Sequence, residues 1–248
     1  MSADSIIAII PAGGLGKRMK SQKPKQFLTL NDEPILIITL RALAAAERID
    51  KFIIPSVDLV YTRKIIASSL PELDGKIEVI KGGKTRQESI NNALELIETK
   101  DCQPELILIH DAVRALVQPT TIHNVIAKAR EVGGAIAAVK VTDTLKQANE
   151  VQENGHSPYI KKNVSRDHMW QAQTPQVFKR EVLLEAYDKA KLDHFEGTDS
   201  AGLVERINKP VALVEGLRTN IKITNPRDLL IAESFLDTIG KLYEVSND

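Results

Sequence analysis

The first segment that could do chemistry is glycine-rich and lies close to the N-terminus: PAGGLGKRM at residues 11–19, followed by PKQF at residues 24–27. Small residues let backbone N–H groups approach an anion without clashes from Cβ atoms, and Arg18 and Lys25 add positive charge beside them. The alternative is an ordinary glycine-rich turn with solvated basic side chains. The basic residues favour a phosphate cradle. We expect it to comprise Pro11, Ala12, Gly13, Gly14, Gly16, Arg18 and Lys25.

Two better-known phosphate motifs fit the chain poorly. A dinucleotide fingerprint requires a small residue three positions after Gly16, where the chain has Met19, so a hydride-transfer enzyme is disfavoured. The sequence GGKT at residues 82–85 ends like a P-loop, but the leading glycine of that motif would fall at Glu78, inside a predicted strand. A P-loop NTPase is therefore disfavoured as well.

Further polar residues follow the other apolar runs. Asp111 comes just after the run at residues 106–109 and is a candidate ligand for Mg²⁺, which prefers one or two carboxylates with phosphate oxygens and water. A ribose contact and a turn aspartate paired with Arg114 are the alternatives. Hydroxyls, amides and an arginine at residues 141–146, 163–167 and 170–178 suit an anionic, hydroxylated small molecule. Lys222 is either a surface lysine or a residue that points into the nucleotide site.

The elements that must position these residues alternate along the chain. Continuous apolar runs predict strands at residues 6–10, 51–55, 77–80, 106–109, 135–141 and 211–214. Amphipathic segments predict helices at residues 34–47, 61–70, 86–98, 120–132, 179–190 and 226–236. This order predicts a three-layer α/β/α fold with a mostly parallel sheet, whose ligands gather at the carboxyl ends of the strands. The polar stretch at 147–162 predicts a protruding arm, which is either a mobile loop or an element that reaches a neighbouring subunit.

Composition narrows the class of protein. The 248 residues contain 33 Lys and Arg against 33 Asp and Glu, so no overall field attracts a nucleic acid or an anionic membrane. No apolar run approaches the ~20 residues that a membrane span needs, no targeting segment is recognised, and a single cysteine, Cys102, excludes an intramolecular disulfide. We expect a cytoplasmic protein with one domain over residues 1–248, into which the arm at about 142–165 is inserted.

Seven motifs in register resemble the 2-C-methyl-D-erythritol 4-phosphate cytidylyltransferases of the non-mevalonate isoprenoid pathway. They run in order from about Ile6 to Leu236: PAGGLGKRM with PKQF, GGKTRQES, HDAVR, VTDT, QTPQVF, GTDSAG and NIKITNPRDL. The resemblance implies a Rossmann-like nucleotidyltransferase fold and transfer of CMP from CTP with release of pyrophosphate. It also implies a requirement for Mg²⁺ and a homodimer joined by the arm.

The same resemblance implies roles for individual residues. Arg18 and Lys25 would stabilise the transition state, Lys222 would hold the α-phosphate, and Asp111 would lie beside the metal and the triphosphate. The cytosine base and ribose would contact Gly83, Arg86 and Ser89. The polyol phosphate would contact Arg114 and Thr174, together with Thr144 and Arg166 from across the dimer interface.

The chain also departs from the family pattern. Ser200 and Lys84 stand where acids are common, and Ala115 and Leu116 replace a proline that commonly follows the HDxxR motif. Ribitol 5-phosphate cytidylyltransferases share most of the nucleotide motifs and are the alternative within the class. The alternative from another class is a non-catalytic nucleotide-binding sensor, against which the retained Arg18, Lys25, Asp111 and Lys222 argue.

Overall fold

The computed structural model of the chain describes residues 4–14, 19, 23–46, 49–100, 103–149 and 158–245, so that Gly16, Arg18 and Cys102 lie outside the described residues. The strands are β1 Ile6–Ile9, β2 Thr29–Leu30, β3 Glu33–Pro34, β4 Lys51–Ser56, β5 Ile77–Lys81, β6 Leu106–Ile109, β7 Gly134–Lys140, β8 Leu145–Ala148, β9 Ile160–Val164, β10 Trp170–Lys179 and β11 Ala212–Glu215. The helices are α1 Ile35–Ala44, α2 Leu59–Ser69, α3 Arg86–Thr99, α4 Pro119–Val132, α5 Arg180–Leu192, α6 Ser200–Arg206 and α7 Pro226–Val245. Not one of these helices is both long enough and apolar enough to pass through a lipid bilayer.

A seven-stranded sheet with the order β11-β7-β10-β6-β1-β4-β5 forms the centre of the molecule. Neighbouring strands run parallel except at β10, which lies antiparallel between β6 and β7. The predicted α/β fold with a mostly parallel sheet is therefore confirmed. Every predicted strand and helix occurs, with ends that differ from the prediction by a few residues or, for α7, by a longer extension.

The sheet separates two layers of helices because side chains alternate across its strands. In β1, Ile6 and Ala8 pack into an apolar cluster with α1, α2 and α4, whereas Ile7 and Ile9 pack into a second cluster with α3, α5 and α6. All four side chains are fully buried. Continuous hydrophobicity in β1 thus reflects a strand that is covered on both faces.

Two elements of the core were not predicted from the sequence. The strand β10 contains three glutamines, which interrupt the apolar pattern. Two of them, Gln173 and Gln176, are nevertheless buried, and their side-chain amides donate hydrogen bonds to polar partners. The short helix α6 begins at an N-cap, Asp199, whose carboxylate accepts a hydrogen bond from the N–H of Gly202 at 2.9 Å.

The arm has a hairpin at its base. Strands β8 and β9 pair antiparallel, with Leu145 opposite Val164, and they form a small sheet separate from the central one. Tyr159 and Ile160, at the start of β9, are 75% and 66% exposed. The arm therefore presents apolar side chains away from the core of its own chain.

Candidate active site

Three loops that follow parallel strands meet at one edge of the sheet. They are residues 10–14 after β1, 82–85 after β5 and 110–114 after β6. The chain passes from β1 to β4 and β5 on one side and to β6 on the other, so β1 marks the reversal of strand order at which ligands of open α/β sheets bind. The three loops enclose a cavity of about 210 Å³, the first cavity, together with Lys25 and Lys222.

Close packing explains the glycines around the first cavity. A Cβ atom on Gly13 would come within 3.1 Å of the Ser89 hydroxyl, and one on Gly83 would meet the Glu88 side chain at 2.4 Å. Pro11, Gly13 and Gly14 line the cavity, whereas Ala12 is buried behind it and pairs with Ser56 of β4. The predicted cradle is therefore assembled as far as Gly14, and its members Gly16 and Arg18 fall outside the described residues.

Lys25 lines the first cavity from a single 3₁₀ turn at Lys25–Phe27, which begins after Pro24. The next residue, Gln26, is buried and its amide donates a hydrogen bond to the carbonyl oxygen of Ala12 at 2.6 Å. Phe27 packs edge-on against Tyr61, with ring centroids 5.0 Å apart. The turn that carries Lys25 is thus held by a hydrogen bond to the first loop and by aromatic packing against α2.

Asp111 contacts three cationic side chains at the floor of the first cavity. Its carboxylate lies 3.1 Å from Nε of Arg86, 2.9 Å from Nζ of Lys222 and 3.4 Å from Nε of Arg114. Burial alone would raise the pKa of Asp111, but the charges of Arg86, Lys222 and Arg114 outweigh it and hold the pKa well below its usual range. Asp111 is therefore a carboxylate at neutral pH, and it gathers residues from three separate segments.

The start of α3 forms the wall opposite the first loop. Thr85 caps the helix by accepting the N–H of Glu88 at 3.1 Å, and the Glu88 carboxylate accepts the N–H of Lys84 at 2.7 Å. The Ser89 hydroxyl accepts the N–H of Gly83 at 3.0 Å and donates to the carbonyl oxygen of Thr85 at 2.9 Å. Gly83, Arg86 and Ser89, the predicted nucleoside contacts, all line the cavity, and Lys84 lines it beside them.

A second cavity of about 230 Å³ adjoins the first. Arg114, Arg218 and Lys222 line it together with polar groups of Gln173 and Asn220, and no acidic residue is among its described lining. Because Lys222 lines both cavities, it lies at the wall that they share. Three cations without an acid favour a dianionic ligand such as a phosphate monoester. The sequence analysis included Gln173 among the amides of residues 170–178, but it missed Arg218 and Asn220, whose partners lie far away along the chain.

Thr174 lines neither cavity among the described residues, although the resemblance had placed it near the polyol phosphate. It is buried, and its hydroxyl accepts the N–H of Asp111 at 3.1 Å and lies 3.0 Å from Nδ1 of His110. The hydroxyl proton therefore points to Nδ1, and the ring keeps its own proton on Nε2, which donates to the carbonyl oxygen of Arg114 at 3.1 Å. Thr174 thus supports Asp111 and Arg114 from behind, and its contact with substrate stays a prediction.

His110 carries no charge at neutral pH. Burial lowers the pKa of its imidazole to about 4, and this effect outweighs the opposing hydrogen bond to Arg114. Because the ring is fully buried and both its nitrogens are occupied, it cannot exchange a proton with a ligand in either cavity. Its place next to Asp111 is therefore structural.

The two residues assigned to the partner subunit lie elsewhere. Thr144 and Arg166 are exposed at the base of the arm, and neither lines the first or the second cavity among the described residues. The Arg166 guanidinium donates a hydrogen bond to the carbonyl oxygen of Thr142. A single chain therefore does not bring these two side chains to Lys222 and Asp111, and their role stays a prediction.

The departure at Ser200 has a local explanation. Ser200 is fully buried at the start of α6, and its hydroxyl lies 2.9 Å from that of Tyr187. Burial raises the pKa of the Tyr187 phenol to about 12. An acid at position 200 would place a charge in this closed pair, so the serine fits the site that this chain builds.

Comparison with known proteins agrees with the geometry. The family model for 2-C-methyl-D-erythritol 4-phosphate cytidylyltransferase, IspD, matches residues 6–238. This chain belongs to that family. A relative of that name from Syntrophus aciditrophicus is 43% identical over 235 residues, which cover 93% of this chain and 95% of the relative. A relative from Bacillus cytotoxicus, with the same name, is 41% identical over 92% of this chain and 96% of its own length.

A solved structure extends the agreement to three dimensions. The 4-diphosphocytidyl-2C-methyl-D-erythritol synthase from Anaerococcus prevotii superimposes with a TM-score of 0.78 at 29% identity, over 95% of this chain and 100% of the solved chain. Membership of the family confirms the resemblance, the fold and the predicted activity: the chain is a nucleotidyltransferase that acts in isoprenoid synthesis by cytidylyl transfer. The contribution of each site residue has to be argued from the chain itself.

Proposed function

We propose that this chain transfers CMP from CTP to 2-C-methyl-D-erythritol 4-phosphate, with the nucleotide in the first cavity and the acceptor phosphate in the second. The observation that carries the proposal is the position of Lys222 at the wall shared by both cavities. A group at that wall faces the α-phosphorus of the nucleotide and the attacking phosphate at the same time.

The reaction itself is a displacement at phosphorus. An oxygen of the acceptor phosphate forms a bond to the α-phosphorus of CTP, the bond from that phosphorus to the β-phosphate oxygen breaks, and pyrophosphate leaves with the electron pair. The acceptor is mostly dianionic at neutral pH because its second pKa is about 6, so no protein base has to remove a proton. The neutral, enclosed ring of His110 is consistent with that requirement.

The obstacle to reaction is repulsion between two anions, and the basic residues reduce it. Lys25, Arg86 and Lys222 line the first cavity, and Arg114 and Arg218 line the second. Charges fixed by the fold stabilise a transition state without reorganising, which is the main source of catalysis in phosphoryl transfer. We assign Lys25 and Lys222, with Arg18, to the α-phosphorus and the departing pyrophosphate, and we assign Gly83, Arg86 and Ser89 to the nucleoside.

Mg²⁺ fits this site as part of the substrate Mg·CTP. Asp111 is the one acidic residue in the described lining of the first cavity, and the described residues contain no group of three metal-ligating side chains that could hold an ion alone. One carboxylate with phosphate oxygens and water is an ordinary environment for Mg²⁺. The ion would neutralise charge on the triphosphate, and Asp111 is the residue that we assign to its side of the site.

We propose that two chains form a homodimer through the arm. Its exposed Tyr159 and Ile160 offer apolar surface, and its exposed Thr144 and Arg166 offer polar groups that their own chain leaves outside both cavities. An arm that reaches the second cavity of the neighbouring chain would add Arg166 to Arg114, Arg218 and Lys222 around the acceptor. The charge and water solubility of both substrates support a cytoplasmic location.

An assay of pyrophosphate release tests the proposal. Release should require both CTP and 2-C-methyl-D-erythritol 4-phosphate, and ribitol 5-phosphate or omission of the acceptor should leave only background. Lys222→Ala should abolish most of the release, whereas Lys128→Ala, at an exposed lysine of α4 paired with Glu131, should not. Equal rates with ribitol 5-phosphate would contradict the acceptor assignment, and binding of CTP without release under any condition would indicate the sensor.

A further inference from the structure

The segment that carries Lys222 has no regular secondary structure. Residues 216–225 connect β11 to α7, and the backbone is tied to the sheet and to the loop after β6 by hydrogen bonds from Gly216 to Ala138, at 2.8 Å, and from Ile223 to Val113, at 3.0 Å. Between those two ties, no strand or helix fixes the path of the chain. The backbone makes turn hydrogen bonds within the segment, from Asn220 to Leu217 at 3.0 Å and from Ile221 to Thr219 at 2.7 Å, so side-chain hydrogen bonds to β10 contribute to the path that leads to Lys222.

Two amides supply these hydrogen bonds. Nδ2 of Asn220 donates to the carbonyl oxygen of Thr174 at 2.8 Å and to Oε1 of Gln173 at 3.2 Å. Nε2 of Gln173 donates to the carbonyl oxygen of Leu217 at 2.9 Å. The pair, which we name the amide clamp, thus joins the irregular segment to β10 at two points.

The amide clamp also reaches the second cavity. The backbone carbonyl oxygen of Asn220, which Asn220→Ala would keep, accepts a hydrogen bond from Nη1 of Arg114 at 2.6 Å, and both Gln173 and Asn220 line that cavity. Thr174, which accepts the Asn220 amide through its carbonyl oxygen, supports Asp111 through its hydroxyl. Asn220 is therefore hydrogen-bonded to Thr174 and Arg114, and both of these contact Asp111, the carboxylate that pairs with Lys222.

We propose that Asn220 is a positioning residue for the reaction, which holds Lys222 at the wall between the two cavities through its contacts with Gln173, Thr174 and Arg114. This inference rests on the proposed function of Lys222. The side chain of Asn220 is 1% exposed, and its Oδ1 atom has no hydrogen-bond partner among the described residues.

A double-mutant cycle in the intact enzyme tests the amide clamp. Lys222→Ala should lower kcat/KM by about 10²–10³-fold, and Asn220→Ala should lower it by about tenfold to 10²-fold, because small displacements of a charge at the reacting centre are costly. The double variant should be no slower than Lys222→Ala by more than about threefold, because Asn220 acts through the lysine that is already missing. Effects that multiply in the double variant would overturn the proposal.

The control is Asn225→Ala, in the same segment. Asn225 accepts hydrogen bonds from the N–H groups of Arg227 and Asp228 at the start of α7, so its loss weakens a helix cap without touching the clamp. Its small effect should multiply with that of Lys222→Ala. A purely structural role for Asn220 would give this same multiplicative pattern.

A second variant keeps the test decisive if Asn220→Ala does not fold. Gln173→Ala removes the other half of the clamp and should show the same lack of additivity with Lys222→Ala. Wild-type turnover in Lys222→Ala alone would overturn the proposed function of that lysine. A large loss in Lys222→Ala that multiplies with the losses in both clamp variants would overturn only the positioning role of Asn220.

Discussion

The two cavities are built in different ways. The first lies among the ends of regular elements, since its walls come from the loops after β1, β5 and β6 and from the capped start of α3. The second is lined by β10, by the irregular segment 216–225 and by Arg114 and Val139, and the amide clamp joins that segment to β10. The nucleotide side of the site is thus a property of the sheet, whereas the acceptor side depends on a few specific hydrogen bonds.

Charge separates the two cavities as well. Asp111 lines the first cavity and pairs there with Arg86 and Lys222, whereas the described lining of the second contains Arg114, Arg218 and Lys222 without an acid, although the carboxylate of Asp111 also reaches Arg114 and Lys222 from its own side. The first is therefore suited to an anion that brings a cation with it, and the second to a bare phosphate. The following predictions test this division between a nucleotide cavity and an acceptor cavity.

The largest effect on activity is expected at Lys222, at the wall that the two cavities share, and at Lys25, which lines the first cavity from another segment. Lys25→Ala and Lys222→Ala should each lower kcat by about 10²–10³-fold, because each removes a fixed charge from the transition state. Circular dichroism and the thermal unfolding midpoint should stay close to wild type, as both side chains lie at a cavity surface. Turnover near the wild-type value in both purified variants would remove the basis for the charge argument.

A mixed dimer of two inactive variants should recover much of the activity that each variant loses. One chain carries Lys25→Ala and the other carries Arg166→Ala. One of the two sites then has its cavities in the Arg166→Ala chain, which keeps Lys25, and receives the arm of the Lys25→Ala chain, which keeps Arg166. Verified heterodimers should regain roughly half of the wild-type activity, because one of two sites is intact. Each homodimeric variant, assayed alone, serves as the control. No recovery would show that a site is built within one chain.

Two glycine substitutions should separate the cavities by their substrates. Gly83→Ala places a Cβ atom 2.4 Å from Glu88, and Gly216→Ala places one 2.6 Å from Oε1 of Gln173. The first should raise KM for CTP and the second KM for the acceptor, each by about tenfold, because a disturbance of binding by about 1.4 kcal/mol corresponds to that factor. Steady-state kinetics with each substrate varied in turn measures this. Equal changes in both KM values would contradict the division.

The smallest effect is the dependence of stability on pH that His110, the residue before Asp111, contributes. Burial lowers the pKa of His110 in the folded chain to about 4 from its ordinary value of 6.5, so the unfolded chain binds more protons in the interval between these values. The contribution of His110 to stability is therefore lost as pH falls from about 6.5 towards 4. Lowering the pH from 7 to 6 should reduce the free energy of unfolding by roughly 0.7 kcal/mol, or about 2 °C in the unfolding midpoint.

His110→Gln should flatten this part of the pH profile, whereas His194→Asn, at an exposed position with φ +50°, should leave it unchanged. Differential scanning calorimetry at closely spaced pH values measures both profiles. An unchanged slope in His110→Gln would show that another group is responsible.

The recognisable part of the site followed from strand ends. Residues such as Asp111 directly follow a fully apolar run, and Gly13 and Gly83 follow others, so the rule that ligands gather at the carboxyl ends of parallel strands was sufficient to group them. Lys25 was grouped with the glycine-rich loop by its charge, the family motifs favoured a site role for Lys222, and the structure brings both to the first cavity. Their grouping was predictable because each lies in a short segment with a distinctive local sequence.

The supporting residues had no such local pattern. Gln26 bonds to Ala12, Gln173 to Leu217 and Asn220 to Thr174, and the residues of each pair lie at least 14 positions apart in the sequence. A glutamine in sequence reads as a surface residue, because burial of an amide depends entirely on partners that arrive from elsewhere. For the same reason the strand β10, with its three glutamines, was not recognised.

By itself, the sequence determined the alternation of strands and helices, the α/β class and the edge of the sheet at which chemistry occurs, because these follow from periodic hydrophobicity within short segments. Only the tertiary structure decided that Lys222 lies between two cavities, that Asp111 gathers three cations and that Asn220 holds the segment between them. Each of these facts is a contact between residues that lie far apart in the sequence; Asp111 and Lys222, for example, are separated by 111 positions. No local pattern encodes such distances, since they arise when the whole sheet is assembled.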